Sequence, residues 1–490
     1  MGLKKNLIYR LFLGVFAAAI ALTPINVHAT ENLEAESQAA YDKTIESNTW
    51  ENWPTGPAVY AQSAIVMEAD TGLILYAKDM EQKNYPASIT KIMTALLALE
   101  NCELKEEIEF SYYATHSIDY GSSSIARTEG EILTVEEALY GLMLSSANEC
   151  ANALAEHIAG SNEAFAVLMN EKAKELGCVN THFSNPSGLH DDNHYTCAYD
   201  MALITKEALE NEDFRRISGT DYYTLRATNK NDEELWMQNH HYMIAPYKTA
   251  KYLDDTIFSG KTGYTTDALN TLVTCGTRND MDVIVVTMRT RSTGEKGVPL
   301  FTDTAALLDY ANNFQKLNIS DNENTFVVGN AYDFSVDSND LDTASSLISI
   351  DKHSSVILPN QASFADAVPS ITFVENENGN KAYLTYEYAG QTVGRAMITL
   401  EENSEEEFQF SRIESDEEKT SDEGPKFITI NLKVIFIIIA GIFVFLLLVF
   451  LIYRFYEMNR AKIRKAINIY QKRRFLKRKR YRSRRRRRPR

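Results

Sequence analysis

Three short groups of residues carry chemistry. Ser88 and Lys91, in Pro86-Ala87-Ser88-Ile89-Thr90-Lys91, stand immediately before the run Ile92-Met93-Thr94-Ala95-Leu96-Leu97-Ala98-Leu99-Glu100. Ile92, Ala95, Leu96 and Leu99 recur at helical spacing with no Gly or Pro among them, so a buried helix is expected to start close to Ser88. Residues three apart share a helix face, which brings the lysine amine to the serine hydroxyl at the positive end of the helix dipole. A hydroxyl becomes a nucleophile when a neighbouring base takes its proton, and a lysine can be that base once burial and nearby cations bring its pKa down towards neutrality. Alone, this spacing also describes a helix cap followed by a solvated lysine. Ser146-Ala147-Asn148 and Lys261-Thr262-Gly263 are equally bland in isolation, an ordinary cap and an ordinary turn. Their joint presence in chain order singles them out.

The elements that must position these residues can be read from periodicity. Residues 63–67 and 73–76 are apolar runs flanking Glu68-Ala69-Asp70-Thr71-Gly72, a β-hairpin ahead of the Ser88 helix. Residues 134–144 follow a helical pattern, with Thr134 and Glu137 placed as a capping box. A second helix over 150–159 stops at Gly160, which leaves Ser146-Ala147-Asn148 on a short turn between two buried helices, where polar side chains can enter a cleft. Residues 163–176 form a further helix and 182–199 a long loop. From 253 to 288 the pattern returns to β: Lys261-Thr262-Gly263 opens a strand, 271–275 and 283–288 are strands, and Arg278-Asn279-Asp280 turns between them. A helix over about 300–314 closes this domain. Helices inserted between antiparallel strands imply an α+β or three-layer arrangement.

At 490 residues and 44% hydrophobic content the chain can build two or more cores, which excludes a disordered protein. Lys4, Lys5 and Arg10, the apolar run 11–22 and Val27-His28-Ala29 read as a secretory signal over 1–29. Residues 30–54 are polar and acidic with little periodicity, a leader strand or loose spacer, and 55–315 hold the three groups. Over 316–400 short strands (371–374, 382–388 and 392–400) separated by Asn378-Gly379 and Ala389-Gly390 suggest a small all-β domain, a sandwich. Residues 401–433 form an acidic, hydrated stalk. The uncharged run 434–453 matches the roughly 20 residues that span a bilayer. Residues 454–490 carry 19 Lys/Arg and one acid, Glu457, a net +18 that leaves −35 on residues 1–453 within the overall −17. The positive-inside rule then places this tail in the cytoplasm and the acidic body outside, with anionic lipid a simpler partner for the tail than nucleic acid. Five cysteines without Cys-x-x-Cys spacing read mostly as small core residues. His190-x-x-x-His194 beside Asp191 and Asp192 could mimic a zinc site, but no metal is expected there.

Taken together, Ser88-x-x-Lys91, Ser146-Ala147-Asn148 and Lys261-Thr262-Gly263 resemble the motif set of penicillin-binding proteins and serine β-lactamases. The resemblance is to the low-molecular-mass penicillin-binding proteins that act as serine-type D-alanyl-D-alanine carboxypeptidases. It extends through Thr134-Val135-Glu136-Glu137-Ala138-Leu139-Tyr140-Gly141-Leu142, Leu154-Ala155-Glu156-His157-Ile158-Ala159-Gly160, Asn185-Pro186-Ser187-Gly188-Leu189-His190 and Tyr199-Asp200-Met201-Ala202-Leu203. It covers 55–315, and 316–400 resemble the family's β-rich C-terminal domain.

The resemblance implies a penicillin-binding/β-lactamase-like transpeptidase fold, helices around an antiparallel sheet. It implies removal of the terminal D-alanine from peptidoglycan stem pentapeptides through a seryl acyl-enzyme, without cofactor and with β-lactams as inhibitors. Ser88 would attack, Lys91 would take its proton, Ser146 would pass a proton to the leaving amine, and Asn148 would orient Lys91 and the substrate. The N–H groups of Ser88 and Tyr264 would hold the oxyanion, with Gly263 beside them. Lys261 and Thr262 would bind the substrate carboxylate together with an arginine, Arg291 or Arg289. Tyr199 stands where several members have arginine. The stalk, full membrane span and basic tail depart from the short amphipathic anchor of some members. Two other readings remain at this point. A class A β-lactamase would need a loop glutamate, for which Glu175 and Asn180 are unsuitably spaced; a sensing module would bind wall peptides or β-lactams without turnover.

Overall fold

The structure, a computed structural model, describes residues 27–292, 299–323, 347–373 and 381–401. The expected signal run before residue 27, the stalk, the apolar run 434–453 and the basic tail lie outside the described residues. Among the described residues no helix is long and apolar enough to cross a membrane.

β1 (Ser63–Glu68), β2 (Ile74–Lys78), β3 (Ile257–Thr265), β4 (Leu269–Arg278) and β5 (Met281–Thr290) form one antiparallel sheet in the order β2-β1-β5-β4-β3. Successive strand residues face opposite sides. Ile65 and Met67 join one core with Ile284, Val286 and Met288, while Ala64 and Val66 join another with Val283 and Val285. Both faces are covered, so β5 reads as a continuous apolar run rather than an alternation. Asn279 and Asp280 both have positive φ (47° and 60°), the two-residue turn whose twist suits a hairpin.

The first face carries α2 (Lys91–Asn101), α3 (Val135–Leu144), α4 (Asn148–Ala159), α5 (Asn162–Glu175) and α6 (Ala198–Leu209), after a helix α1 (Val27–Tyr41) at the start of the described chain. The capping box forms: the Glu137 N–H donates to Thr134 Oγ1 at 3.2 Å and the Thr134 N–H to Glu137 Oε2 at 2.8 Å. Gly160 (φ 81°) ends α4. Asn148 opens α4, two residues earlier than the periodicity placed it, because Asn148, Glu149 and Cys150 already face the core. The loop after α5 gives way to α6 at Ala198, and α7 (Glu212–Gly219) and the hairpin of Tyr222–Leu225 with Leu235–Gln238 follow. These short elements bury few side chains, such as Phe214 and Ile217 of α7, too few to leave a clear period. Lys261-Thr262-Gly263 lies in the middle of β3 instead of opening it. The strand begins at Ile257, and Gly260 within it must lack a side chain because a Cβ there would lie 2.6 Å from Val273 O of β4.

The second face packs on α8 (Pro299–Ala311) and on a second sheet: β6 (Phe314–Asn318), β7 (Leu347–Ile350), β8 (Ser355–Pro359), β9 (Val368–Phe373), β10 (Lys381–Tyr388) and β11 (Gln391–Glu401). Its order is β6-β8-β11-β10-β9, with β7 also on β11. Among the described residues this is a single six-stranded sheet, not the expected sandwich. Val356, Leu358, Leu384 and Tyr386 share one apolar cluster with Leu307, Phe314 and Trp53, so the first domain supplies the cover that a second sheet would. Ala389-Gly390 (φ 54° and 73°) turns between β10 and β11; Asn378-Gly379 lies outside the described residues.

Residues 30–54 are not a loose spacer. Trp53 is buried and its Nε1 donates to Leu75 O at 2.8 Å; Lys78 Nζ donates to Ala40 O and Val59 O, both at 2.7 Å. Ser47 Oγ accepts the Ala77 N–H at 3.2 Å, satisfying part of the outer edge of β2, which ends the sheet. A few anchors hold this segment, and anchors without period escape a pattern search. All five cysteines are free thiols, with Cys150, Cys197 and Cys275 buried.

Candidate active site

Ser88 lies in a single 3-10 turn, Ala87–Thr90, that leads directly into α2. The turn is held from outside: Thr271 Oγ1 of β4 donates to Pro86 O at 2.7 Å, and Ala87 adopts a left-handed φ of 51°. Lys91, the first residue of α2, is fully buried while Ser88 remains partly open. Lys91 Nζ makes three contacts: Ser88 Oγ at 3.0 Å, Asn148 Oδ1 at 2.7 Å and Ser187 O at 2.5 Å. A neutral amine has two N–H donors and one lone pair. Two of these contacts are to carbonyl oxygens, which only accept, so the neutral amine spends its donors there and turns its lone pair to the serine O–H. Burial, and next the charge of Lys261, hold the Lys91 pKa well below the ordinary lysine value, against Glu149 and Cys150.

Asn148 is placed by helix geometry, as the first residue of α4, with its N–H on Ser123 O at 3.0 Å. Ser146 precedes it at φ 59°, and its buried Oγ has no hydrogen-bond partner within the protein. That hydroxyl lines the cleft. Strand β3 closes the opposite side. A Cβ on Gly263 would lie 2.9 Å from Ser88 N and 3.1 Å from Ile89 N, so this strand approaches the serine turn as closely as backbone allows. Lys261 is buried beneath the cleft, its Nζ on Thr262 O at 2.8 Å, and burial brings its pKa down to about 7. Thr262 lines the cleft, and Tyr264, 64% exposed, forms its rim.

The cleft encloses about 440 Å³. Its lining combines the polar Ser88, Ser146, Asn148 and Thr262 with Tyr242, Tyr247, Leu300 and Phe301. Tyr242 stacks on Phe301 with centroids 4.7 Å apart. Among the described residues no Asp or Glu lines it, and Lys248 does, so a chain of net charge −17 presents a cleft suited to an anion. His240, lining it too, is pushed down to about 4 by burial and then by Lys261 and Lys248, and stays neutral near pH 7.

Some residues singled out in the sequence are elsewhere. Arg291 pairs with Glu36 of α1 and does not line the cleft. Arg289 has φ 56° and donates to Asp267 O at 2.8 Å, lining a separate hollow with Lys83, Tyr85 and Tyr195. The resemblance asked only for an arginine after the strand that follows Lys261-Thr262-Gly263; with Arg289 left-handed and bonded to Asp267 and Arg291 drawn to Glu36, neither lines the cleft. Tyr199 lies in the first turn of α6, away from the cleft lining. His194 accepts the Ser184 N–H at Nδ1 (3.0 Å) and contacts Thr90 Oγ1 through Nε2 (2.8 Å), and burial lowers its pKa to about 3. His190 instead faces Asp192 and Asp267. Sequence reasoning missed Ser187, whose carbonyl is the third partner of Lys91. Its signal was Asn185, whose Oδ1 accepts the N–H groups of Ser187 and Gly188 at 3.1 and 2.8 Å, an Asx turn that aims the carbonyls of 186 and 187 at Thr94 and Lys91. Gly188 (φ 81°) must lack a side chain there, because a Cβ would lie 1.9 Å from Ala87 O.

The arrangement defines a serine hydroxyl served by a buried lysine between a helical layer and an edge strand. The chain belongs to the D-alanyl-D-alanine carboxypeptidase family, whose sequence profile matches residues 50–292. It is 37% identical over 254 residues to D-alanyl-D-alanine carboxypeptidase DacF of Bacillus subtilis, a match covering 51% of this chain and 62% of that relative. It is 30% identical over 257 residues to DacB2 of Mycobacterium tuberculosis, covering 52% of this chain and 82% of the relative. A solved D-alanyl-D-alanine carboxypeptidase structure from Mycobacterium tuberculosis matches with TM-score 0.48 at 27% identity, over 55% of this chain and 95% of that one.

Proposed function

We propose that the protein is a serine D-alanyl-D-alanine carboxypeptidase, releasing the terminal D-alanine from peptidoglycan stem peptides and acylated by β-lactams at the same serine. The observation that carries this reading is the buried Lys91 amine, 3.0 Å from Ser88 Oγ with its other two directions taken by Asn148 Oδ1 and Ser187 O. The substrate lies extended along β3, which among the described residues is the last strand of its sheet and so offers an edge for backbone pairing. Its terminal carboxylate is held by Thr262 and the Lys261 charge. Ser88 Oγ bonds to the penultimate carbonyl carbon as its proton passes to Lys91 Nζ, and the N–H groups of Ser88 and Tyr264 hold the oxyanion. Collapse breaks the C–N bond, with Ser146 passing a proton from Lys91 to the departing amine. Water then attacks the acyl-enzyme, giving a proton to Lys91; collapse breaks the ester C–O bond as Lys91 returns that proton to Ser88 Oγ, and the peptide leaves as a carboxylate with its acid proton lost to solvent.

The acid-free lining favours this reading over a class A β-lactamase, which uses a loop glutamate to position water. Glu175, at the end of α5, pairs with Lys172, and the Asn180 N–H is bound to Asp200. Ser88→Ala removes only the nucleophilic oxygen. It should abolish both D-alanine release and covalent penicillin labelling in a folded protein, and labelling at any other serine would sink the assignment.

For topology we propose a cleaved signal over 1–29, a stalk over 401–433, a single span over 434–453, and a cytoplasmic tail over 454–490 against anionic lipid. Protease added to intact protoplasts should digest the body and spare the tail. Cleavage of the tail from outside, or failure of a chain ending near residue 426 to leave the membrane, would overturn the anchor.

A further inference from the structure

At the ends of α2 and α4 remote from Ser88, three kinds of metal-binding side chain meet. Cys102 caps the C-terminus of α2, Glu106 lies in the loop leading to the short strand Glu107–Glu109, and His157 stands in the last turn of α4. Their sulfur, carboxylate oxygen and imidazole nitrogen all lie within 4.8 Å of one another. Glu106 Oε2 is 3.0 Å from His157 Nε2, while the other carboxylate oxygen accepts the Glu103 N–H at 2.7 Å. That amide fixes the carboxylate as an outer-shell partner fixes a metal ligand. None of the three belongs to the cleft.

We propose that Cys102, Glu106 and His157 form a site for a zinc-type divalent cation, with three protein ligands and a fourth position open to water. The ligand set selects the ion: thiolate and imidazole favour zinc or cobalt over magnesium or calcium, which take oxygen. Bonds of about 2.0 to 2.3 Å in a tetrahedron separate the ligand atoms by roughly 3.3 to 3.8 Å, so the trio closes by about an ångström. His157 is exposed and Glu106 is on a loop, so both can follow. Two helices present their C-terminal, negative dipole ends here, which favours a cation from both sides. Glu103 and Glu107 add negative charge against Lys105. Binding expels the Cys102 thiol proton into water. The bound ion ties the far ends of the two helices whose near ends carry Lys91 and Asn148, about 16 Å away along α2. It is a structural clamp, independent of the carboxypeptidase reading.

Cobalt titration of the metal-free full-length protein is the direct test. One equivalent of Co²⁺ should give a thiolate-to-cobalt charge-transfer band, displaced by one equivalent of Zn²⁺ and missing in Cys102→Ser. His157→Ala, at an exposed position, should keep the metal-free melting temperature and lose at least about a hundredfold in zinc affinity by chelator competition. It decides the matter even if Cys102→Ser does not fold. Absence of the band in the wild type, a band retained in Cys102→Ser, or zinc affinity within threefold of wild type in His157→Ala would overturn the site.

Discussion

Gly263→Ala tests the gap between β3 and the serine turn. The new methyl would lie 2.3 Å from Thr271 Oγ1, 2.9 Å from Ser88 N and 3.1 Å from Ile89 N. Non-bonded heavy atoms settle at about 3.5 Å or beyond, so β3 and the turn must part by roughly half an ångström. Thr271 cannot simply swing away, because its Oγ1 holds Pro86 O at 2.7 Å and so holds the turn itself. Catalytic donors need placement to within about 0.5 Å, and a misplacement near 1 Å costs on the order of 10²-fold. Losing one oxyanion donor outright costs on the order of 10² to 10³-fold. At about half of a 1 Å misplacement, the second-order rate of acylation by a fluorescent penicillin should fall on the order of 10-fold, with D-alanine release falling in parallel and the melting temperature showing a folded protein. In Gly263→Ala/Thr271→Ala the two backbone contacts persist, so the defect should persist. Acylation within threefold of wild type in a folded Gly263→Ala protein would refute the reasoning, and recovery in the double variant would shift the cause to Thr271.

Lys91→Arg replaces the neutral amine by a guanidinium that stays protonated near neutral pH and cannot accept the serine proton, and should cost on the order of 10³-fold in acylation; a retained rate would remove Lys91 from the base role. Below the depressed Lys91 pKa the amine is protonated and cannot accept, so acylation should fall as pH drops through that value; a flat acid limb in stopped-flow acylation would contradict it. Lys261 is charged only below about 7, so KM for peptides ending in a free carboxylate should rise above that pH while KM for amide-capped peptides stays level. Equal pH profiles for the two would exclude the carboxylate contact. Trp53→Ala should destabilise the fold by about 3 to 5 kcal/mol in denaturant melts, because its ring is buried beside Trp50 and Phe314 and its N–H is bonded to Leu75 O. A change under about 1 kcal/mol would return residues 30–54 to a spacer.

What could be read in the sequence was what is local. The three-residue spacing of Ser88 and Lys91, the Thr134–Glu137 box and the Asn279-Asp280 turn each depend on neighbours in the chain. Their geometry follows from hydrogen bonds that span three or four residues. What could not be read depends on tertiary contact. Ser187 reaches Lys91 from 96 residues away. Gly260 lacks a side chain because β4 crowds it, and Ser47 and Trp53 gain their roles only once β2 exists as an edge to be covered. The resemblance called for an arginine in this stretch but not for the pairing with Glu36, 255 residues away in the chain, that draws Arg291 aside.

The pairing of β1 with β5 joins Ser63 to Met288, more than two hundred residues later, and β1 is central rather than peripheral in its sheet. Non-local pairing of this kind makes folding slow and leaves apolar faces exposed while it is incomplete. The β1–β2 hairpin can form as soon as it is made, but both of its faces wait for chain that is synthesised much later. Lys261 and Gly263 reach the Ser88 turn only when β3 has joined β4 and β5. Reactivity of Ser88 therefore arrives last, and covalent penicillin labelling during synthesis or refolding would report completion of the sheet rather than the presence of the polypeptide.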